Sequence, residues 1–231
     1  MRNTPKALLI GLAIIASSSV AKADVINLLV NPGAETGNLN GWTTGGVSNP
    51  FVDHGTWNPG ITPYSGSYDF AGGTGTYGTL TQNVSLSGIS GITTAMIDSG
   101  LVSAQVSFWE QGLDQGSLSD NGYVSISFLD AGSSVISTVS TPVIDSHNLT
   151  WQNYSGSFVI PTGTRSIDYT MNFARYSGSD VDSYFDNNSL SVAVVPEPSS
   201  ILMLMTGAVA LSLYTRRRTE LDEVVCRTKK A

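Results

Sequence analysis

The chain has 231 residues, a net charge of −7 and one cysteine, Cys226. Between positions 24 and 195 it carries fourteen acidic residues and two arginines, a net charge of −12. This charge repels nucleic acid and anionic lipid, so a nucleic-acid-binding protein is excluded. The same stretch is long enough to bury one core, and without cysteine it must fold without disulfides.

The N-terminus has the pattern of a secretory signal peptide. Arg2 and Lys6 precede an apolar stretch at 7–16, and 21–23 reads Ala-Lys-Ala, the small-x-small cleavage pattern. We therefore expect residues 1–23 to be removed after Ala23. A permanent N-terminal anchor is the alternative, and the short apolar stretch argues against it.

The region 24–194 alternates between apolar and polar residues nearly everywhere. This period of two is typical of antiparallel strands with one face on a core. The fold class predicted is all-β, an antiparallel β-sandwich of eight to ten strands, most simply a jelly roll. The alternating or apolar runs lie at 25–30, 80–86, 102–108, 124–128, 158–160, 167–173 and 190–194.

Between these runs the sequence predicts turns, long loops and one short helix. Helical spacing of isoleucines at 87–99 indicates a turn or two of helix ending at Gly100. The stretch 50–79, rich in Gly, Pro, Ser and Thr, reads as long loops. Turn dipeptides and tripeptides lie at 40–41, 72–73, 121–122, 130–132 and 161–163.

The C-terminal part has three unlike features in sequence. Pro196, Glu197 and Pro198 favour an extended segment. An uncharged run follows at 201–214, and as a helix it would span ~21 Å against ~30 Å for a bilayer core. Arg216, Arg217 and Arg218 come next and would keep that end in the cytoplasm, so that everything before Val195 lies outside.

This order of features at 195–218 resembles the PEP-CTERM sorting signal of Gram-negative bacteria. The resemblance implies recognition of Pro196-Glu197-Pro198 by exosortase, a membrane transpeptidase, and a transient stay of 201–214 in the inner membrane. It also implies a final location at the cell surface or in the exopolysaccharide matrix. The polar tail 219–231 departs from the family, which usually ends soon after its arginines. An ordinary tail anchor is the alternative.

Two other segments resemble galactose-binding-like jelly rolls, which include many carbohydrate-binding modules. The first is Asn31-Pro32-Gly33-Ala34-Glu35 followed by Gly41-Trp42, with Ala34 in place of the usual Phe, and the second runs from Ser183 to Val192. The resemblance implies one structural calcium held by Glu35 and Asp186. Otherwise Glu35 is a solvated turn residue and Asp186 caps a bend. The acidic pairs Asp180 with Asp182 and Asp114 with Asp120 are alternative sites.

Catalysis has little support in the sequence. The only histidines, His54 and His147, lie in polar loops, and neither Gly-x-Ser-x-Gly nor His-Glu-x-x-His occurs. No pattern selects two of the fourteen acids as a glycosidase pair. We therefore expect a protein that is not an enzyme.

Aromatic residues in the 50–79 stretch suggest ligand binding instead. Sugars bind to aromatic faces and to planar polar side chains, and Trp57, Tyr64, Tyr68 and Asp53 supply both in one predicted loop region. The alternative is that these aromatics close one end of the sandwich. Of the other tryptophans, we expect Trp42 in the core, Trp109 exposed or at a strand end, and Trp151 in a structural role.

The sequence as a whole predicts an exported, surface- or matrix-directed β-sandwich that binds a glycan or another matrix component without catalysis. A purely structural or adhesive surface protein is the alternative, and a polysaccharide hydrolase is a third.

Overall fold

The computed structural model describes residues 26–116, 119–144, 150–195, 206–207, 209–214 and 216. Its elements are β1 (Thr43–Gly46), β2 (Phe51–Asp53), β3 (Asp69–Thr74), β4 (Tyr77–Ser85), α1 (Thr94–Asp98), β5 (Val102–Gly112), β6 (Asn121–Leu129), β7 (Val135–Ser140), β8 (Gln152–Val159), β9 (Ser166–Ala174) and β10 (Asp180–Val194). The predicted signal peptide at 1–23, the motif residues Pro196, Glu197 and Pro198, and His147 lie outside the described residues.

The strands form two five-stranded antiparallel sheets. Sheet I has the order β1-β4-β9-β6-β7 and sheet II the order β2-β3-β10-β5-β8. The chain crosses repeatedly between them, as in a jelly roll, and the predicted β-sandwich is confirmed.

Apolar side chains from facing strands fill the space between the sheets. Phe185 of β10 packs against Phe173 of β9 and Phe108 of β5, with ring centroids 5.0 and 5.4 Å apart. Trp42 is buried as expected and meets Phe70 and Tyr169 edge-on. This core is held by alternating strands alone, because no cysteine precedes Cys226.

Three local predictions are wrong. Residues 26–30 form no strand. Asn27 and Leu28 contact Asn188 and Leu190 of β10 through isolated hydrogen bonds, which do not form the regular ladder of a strand pair. The stretch 50–79 is not all loop, since it contains β2, β3 and the start of β4. The predicted turns at 72–73 and 121–122 lie inside strands β3 and β6.

Close packing explains the misread glycines. A Cβ on Gly72 would lie 2.6 Å from Val181 of the neighbouring strand, and one on Gly122 would meet the ring of Phe185 across the core. Glycine is therefore required at both positions by the approach of a neighbouring side chain, rather than by a turn.

The short helix is confirmed as α1, which is capped by the Thr93 hydroxyl and followed by Gly100 with φ of 74°. Within 201–214, the described residues 206–207 and 209–214 are helical and exposed. Among all described residues, no helix has the length and apolar character needed to cross a membrane.

Candidate functional site

The outer face of sheet II carries a shallow groove with a polar floor. In register across β10, β5 and β8, Ser189 pairs with Ser107 and Ser107 with Ser155, while Gln105 pairs with Ser191 and Ser157. These side chains surround a depression of about 380 Å³, and Gln105 donates to Ser157 Oγ at 2.9 Å. None of the described residues lining it is charged.

Two aromatic rings lie beyond the groove on the same face. Trp109 follows Ser107 by two positions along β5, so both side chains point outward. Tyr64 of the β2–β3 loop (54–68) stacks on Trp109 with ring centroids 3.9 Å apart and an angle of 16°. Trp151 approaches Tyr64 edge-on at 6.1 Å, and Tyr64 remains 41% exposed. The groove thus continues from hydroxyl and amide groups to an accessible aromatic pair.

The β2–β3 loop reaches Trp109 because it is packed onto the outer face of sheet II. Ile61 of the loop is buried against Ala71 of β3 and Tyr184 of β10, and Trp57 packs edge-on against Phe51 at 5.0 Å. The Trp151 indole nitrogen donates to Thr62 O at 3.0 Å, which supports its predicted structural role. These contacts hold Tyr64 in place.

The four predicted glycan contacts do not share one surface. Tyr64 lies at the groove, whereas Trp57 is half-buried under its own loop. Asp53 is 4% exposed and accepts bonds from the backbone N–H groups of the turn 55–57. Tyr68 is half-buried and lies parallel to His54 with ring centroids 6.4 Å apart.

The sequence-based interpretation assigned no ligand role to Trp109 or the groove serines. A usable signal was present, because Trp109 shares the polar face of β5 with Ser103, Gln105 and Ser107. A large aromatic on the polar side of an alternating strand needs either a covering segment or a ligand. The stacking partner could not be found in this way, since Tyr64 is 45 positions away in sequence.

The predicted calcium ligands Glu35 and Asp186 meet at one loop. Glu35 accepts from the N–H groups of Ser67 and Tyr68, each at 3.1 Å, and Asp186 Oδ2 accepts from Ser65 N at 2.9 Å. A Cβ on Gly33 would lie 3.0 Å from Asp186 Oδ1, so the first motif passes directly beside Asp186. The first loop, the β2–β3 loop and β10 are therefore joined at this point.

The Asp186 carboxyl group is perturbed by this position. Burial raises its pKa to about 6, the N–H groups of Ser65 and Asn187 oppose that rise, and the negative charge of Glu35 adds to it. Carboxylate oxygens of Glu35 and Asp186, with the amide oxygen of Asn187 nearby, are the hard oxygen donors that calcium prefers. The residues present therefore fit a calcium ion.

The alternative acidic pairs are engaged in the fold. Asp120 accepts from the N–H groups of Tyr176, Ser177 and Asp182, and Asp182 accepts from Asn58 and Gln115. Burial raises the pKa of Asp182. Among the described residues, no cluster of three or more His, Cys, Asp or Glu side chains has the arrangement of a metal site.

Comparison with known proteins addresses the C-terminal segment directly. Residues 194–218 match the family described as the PEP-CTERM protein-sorting motif. The chain carries a PEP-CTERM sorting signal. The signal supports export to the cell surface, and it begins at the last residue of β10, so it follows the sandwich with no spacer. No curated protein matches the chain.

Solved structures resemble the sandwich. The enzymatically active domain of tailspike protein 4 from bacteriophage CBA120 has a TM-score of 0.51 and 18% identity, over 73% of this chain and 22% of that chain. TmCBM61, solved with β-1,4-galactotriose, has a TM-score of 0.49 and 21% identity over 73% and 99%. The CBM22-1–CBM22-2 tandem of Paenibacillus barcinonensis Xyn10C has a TM-score of 0.49 and 16% identity over 79% and 49%. The matched part of this chain thus corresponds to about a fifth of the tailspike chain, and that likeness shows the fold alone.

Proposed function

We propose that the chain is an exported surface protein whose sandwich binds a polysaccharide along the outer face of sheet II. The observation that carries the proposal is the accessible Tyr64–Trp109 pair beside a groove of serine and glutamine side chains. Stacked rings present faces to sugar C–H groups, and the hydroxyl and amide groups match sugar hydroxyls. In this proposal exosortase processes the sorting signal and releases the sandwich to the cell surface or the matrix.

The lining of the groove supports binding without cleavage. Glycoside hydrolysis requires two carboxyl groups on either side of the scissile bond. The described residues lining the groove include none, and the buried acids Asp53, Asp69 and Asp186 lie on the half of the sheet that the β2–β3 loop covers. We therefore propose a binding module rather than a hydrolase.

Glycan binding by the purified full-length chain tests this proposal. On a glycan array followed by titration calorimetry, we expect Trp109→Ala and Tyr64→Ala each to weaken binding by about fivefold or more, since a central aromatic contact contributes over about 1 kcal/mol. Tyr176→Ala is the matched control, because Tyr176 is 59% exposed and lies outside the groove.

Three outcomes contradict the proposal. If no glycan binds to the folded wild-type chain, the structural or adhesive alternative is favoured. If both groove variants bind as tightly as wild type, the site lies elsewhere, and Trp57→Ala and Tyr68→Ala then test the remaining sequence-based assignments. Release of reducing ends from a bound polysaccharide would favour the hydrolase.

We also propose that Glu35 and Asp186 hold one structural calcium ion. Their positions at the first loop and the last strand would tie the two ends of the domain together, a role that disulfides fill in many exported proteins. Such an ion would supply positive charge between the buried Asp186 carboxyl group and the exposed Glu35 carboxyl group. In the structure both carboxyl groups accept hydrogen bonds from backbone N–H groups of the β2–β3 loop.

Thermal unfolding of the full-length chain measures this contribution. We expect the midpoint to fall when calcium is chelated and to recover when calcium is returned, because a ligand that binds only the folded state stabilises it. The Glu35→Gln variant should show a smaller response than wild type, whereas the buried Glu110→Gln should retain the full response. A wild-type midpoint that is the same with calcium and with chelator would exclude the ion.

A further inference from the structure

Three aspartates form a row across the outer face of sheet II. Asp53 of β2 is directly opposite Asp69 of β3, and since Phe70 pairs with Phe185, Asp69 is next to Asp186 of β10. Side chains at opposed positions of neighbouring strands have Cβ atoms about 4.5–5.5 Å apart. Three carboxyl groups therefore occupy adjacent positions on one face of the sheet.

The central member of this row is sealed and has no partner. Asp69 is 0% exposed, and among the described residues neither of its carboxyl oxygens has a hydrogen-bond donor. Burying a carboxylate in this state is costly, whereas a native fold satisfies nearly all its buried polar atoms. Asp53, which faces Asp69, is itself 4% exposed.

The domain has no arginine or lysine to neutralise this row. Between positions 24 and 195 the only such residues are Arg165 and Arg175. Arg165 pairs with Asp98 at 2.9 Å, and Arg175 donates to Ser179 O at 2.7 Å. His54 Nδ1 lies 3.8 Å from Asp53 Oδ1, but the imidazole is 60% exposed and points toward solvent and Thr56.

We propose that Asp53 and Asp69 bind a calcium ion beneath the β2–β3 loop, separate from the Glu35–Asp186 site. Two carboxylates balance the charge of one divalent ion, and an all-oxygen environment favours a hard cation over zinc. Water and neutral oxygens would complete the coordination, and the Tyr184 hydroxyl on the neighbouring strand is one such oxygen within the covered region. The ion would fix the start of the loop that presents Tyr64.

This inference does not depend on glycan binding, and it also stands apart from the first calcium site. After chelation and re-equilibration with calcium, the calcium bound per full-length chain is measured by calorimetry and elemental analysis. We expect two ions in wild type, one in Glu35→Gln and one in Asp69→Asn. Loss of one ion in Asp69→Asn alone supports the Asp53–Asp69 site even if Glu35→Gln changes nothing.

Thermal midpoints distinguish an ion from a buried proton. In chelator, Asp69→Asn should melt at or above the wild-type temperature, because it removes a buried carboxyl group whose oxygens have no hydrogen-bond donor among the described residues. In calcium it should melt below wild type, because the ion no longer adds stability. If Asp69→Asn binds as much calcium as wild type, or if the order of the midpoints is the same in both buffers, the proposal is overturned. Asp69→Ser, read in the same way, replaces the amide variant if that one does not fold.

Discussion

At the residue scale, Asp69 and Asp186 are buried acids whose pKa values are raised. Burial, together with the charges of Asp53 and Asp186, raises the pKa of Asp69 to about 8, and burial raises the pKa of Asp186 to about 6. An ordinary carboxyl group in the unfolded chain titrates near 4. The folded chain without metal therefore holds protons between about pH 4 and pH 8 that the unfolded chain has released.

The sign of the pH dependence follows from this difference. Stability rises with pH where the unfolded state binds more protons, and here the folded state binds more, so the stability of the metal-free chain should fall as pH rises from about 4 to 8. We expect the thermal midpoint in chelator to decrease over this range. Asp69→Asn should remove the part of this decrease that occurs between about pH 6 and 8.

With calcium in excess, the thermal midpoint should decrease less with rising pH, because the ion competes with protons for the same carboxyl oxygens. A metal-free wild type whose midpoint is constant or rises between pH 5 and 8 would contradict the assigned environments of both aspartates.

At the element scale, β10 is the central strand of sheet II and connects the groove to the aspartate row. It pairs with β3 and β5, supplies Phe185 to the core, and carries Tyr184, Asp186 and Ser189 on its outer face. The register of β10 shifts between Asp186 and Ser189, where Asn187 has φ of 49°. Because of this shift, both Asp186 and Ser189 lie on the outer face of the sheet. A β-bulge of this kind turns the strand locally and redirects side chains at functional edges.

The contact between Gly122 of β6 and Phe185 of β10 offers a stringent test of how the two sheets pack. A methyl group on Gly122 would overlap the Phe185 ring, which cannot move away because Phe108 and Phe173 pack against it. Overpacking of a filled core costs roughly 1–3 kcal/mol. We expect Gly122→Ala to lower the free energy of unfolding in urea by about that amount.

Gly132→Ala serves as the control, because a Cβ at Gly132 in the exposed β6–β7 turn would meet only Asp130 Oδ1, at 3.4 Å. It should change the free energy of unfolding by less than about 0.5 kcal/mol, as is typical of surface substitutions. Equal effects of the two substitutions would show that Gly122 does not face a filled core.

Strand prediction succeeded where a strand has one face on the core. β4, β5, β6, β9 and β10 each alternate apolar and polar residues, so the sequence located them. β1, β2, β3 and β7 were missed. β1 is Thr-Thr-Gly-Gly, β3 contains Gly72 and Gly73 at positions where a neighbouring segment approaches closely, and β7 is an edge strand with mostly exposed side chains. From the sequence alone, a glycine that permits close packing cannot be distinguished from a glycine that makes a turn.

At the scale of the whole molecule, the first loop and the last strand of the domain both contact the β2–β3 loop. The segment around Glu35, the β2–β3 loop and the bulge of β10 meet beside Asp186, and the same loop extends over Asp69 to place Tyr64 on Trp109. If ions occupy this region, they stabilise the loop and with it the proposed groove. The sorting signal then starts directly after β10, so the groove serines Ser189 and Ser191 lie only a few residues before it.

The sequence alone determined the class of the domain and its C-terminal sorting signal, and it predicted that Glu35 and Asp186 act together. Alternating hydrophobicity is a local pattern, and a sorting signal is a linear motif read in order, so both are visible without a fold. The groove, the Tyr64–Trp109 stack and the Asp53–Asp69–Asp186 row depended on tertiary structure. Their members lie up to 133 positions apart in sequence, and only strand register and the packing of the β2–β3 loop bring them together.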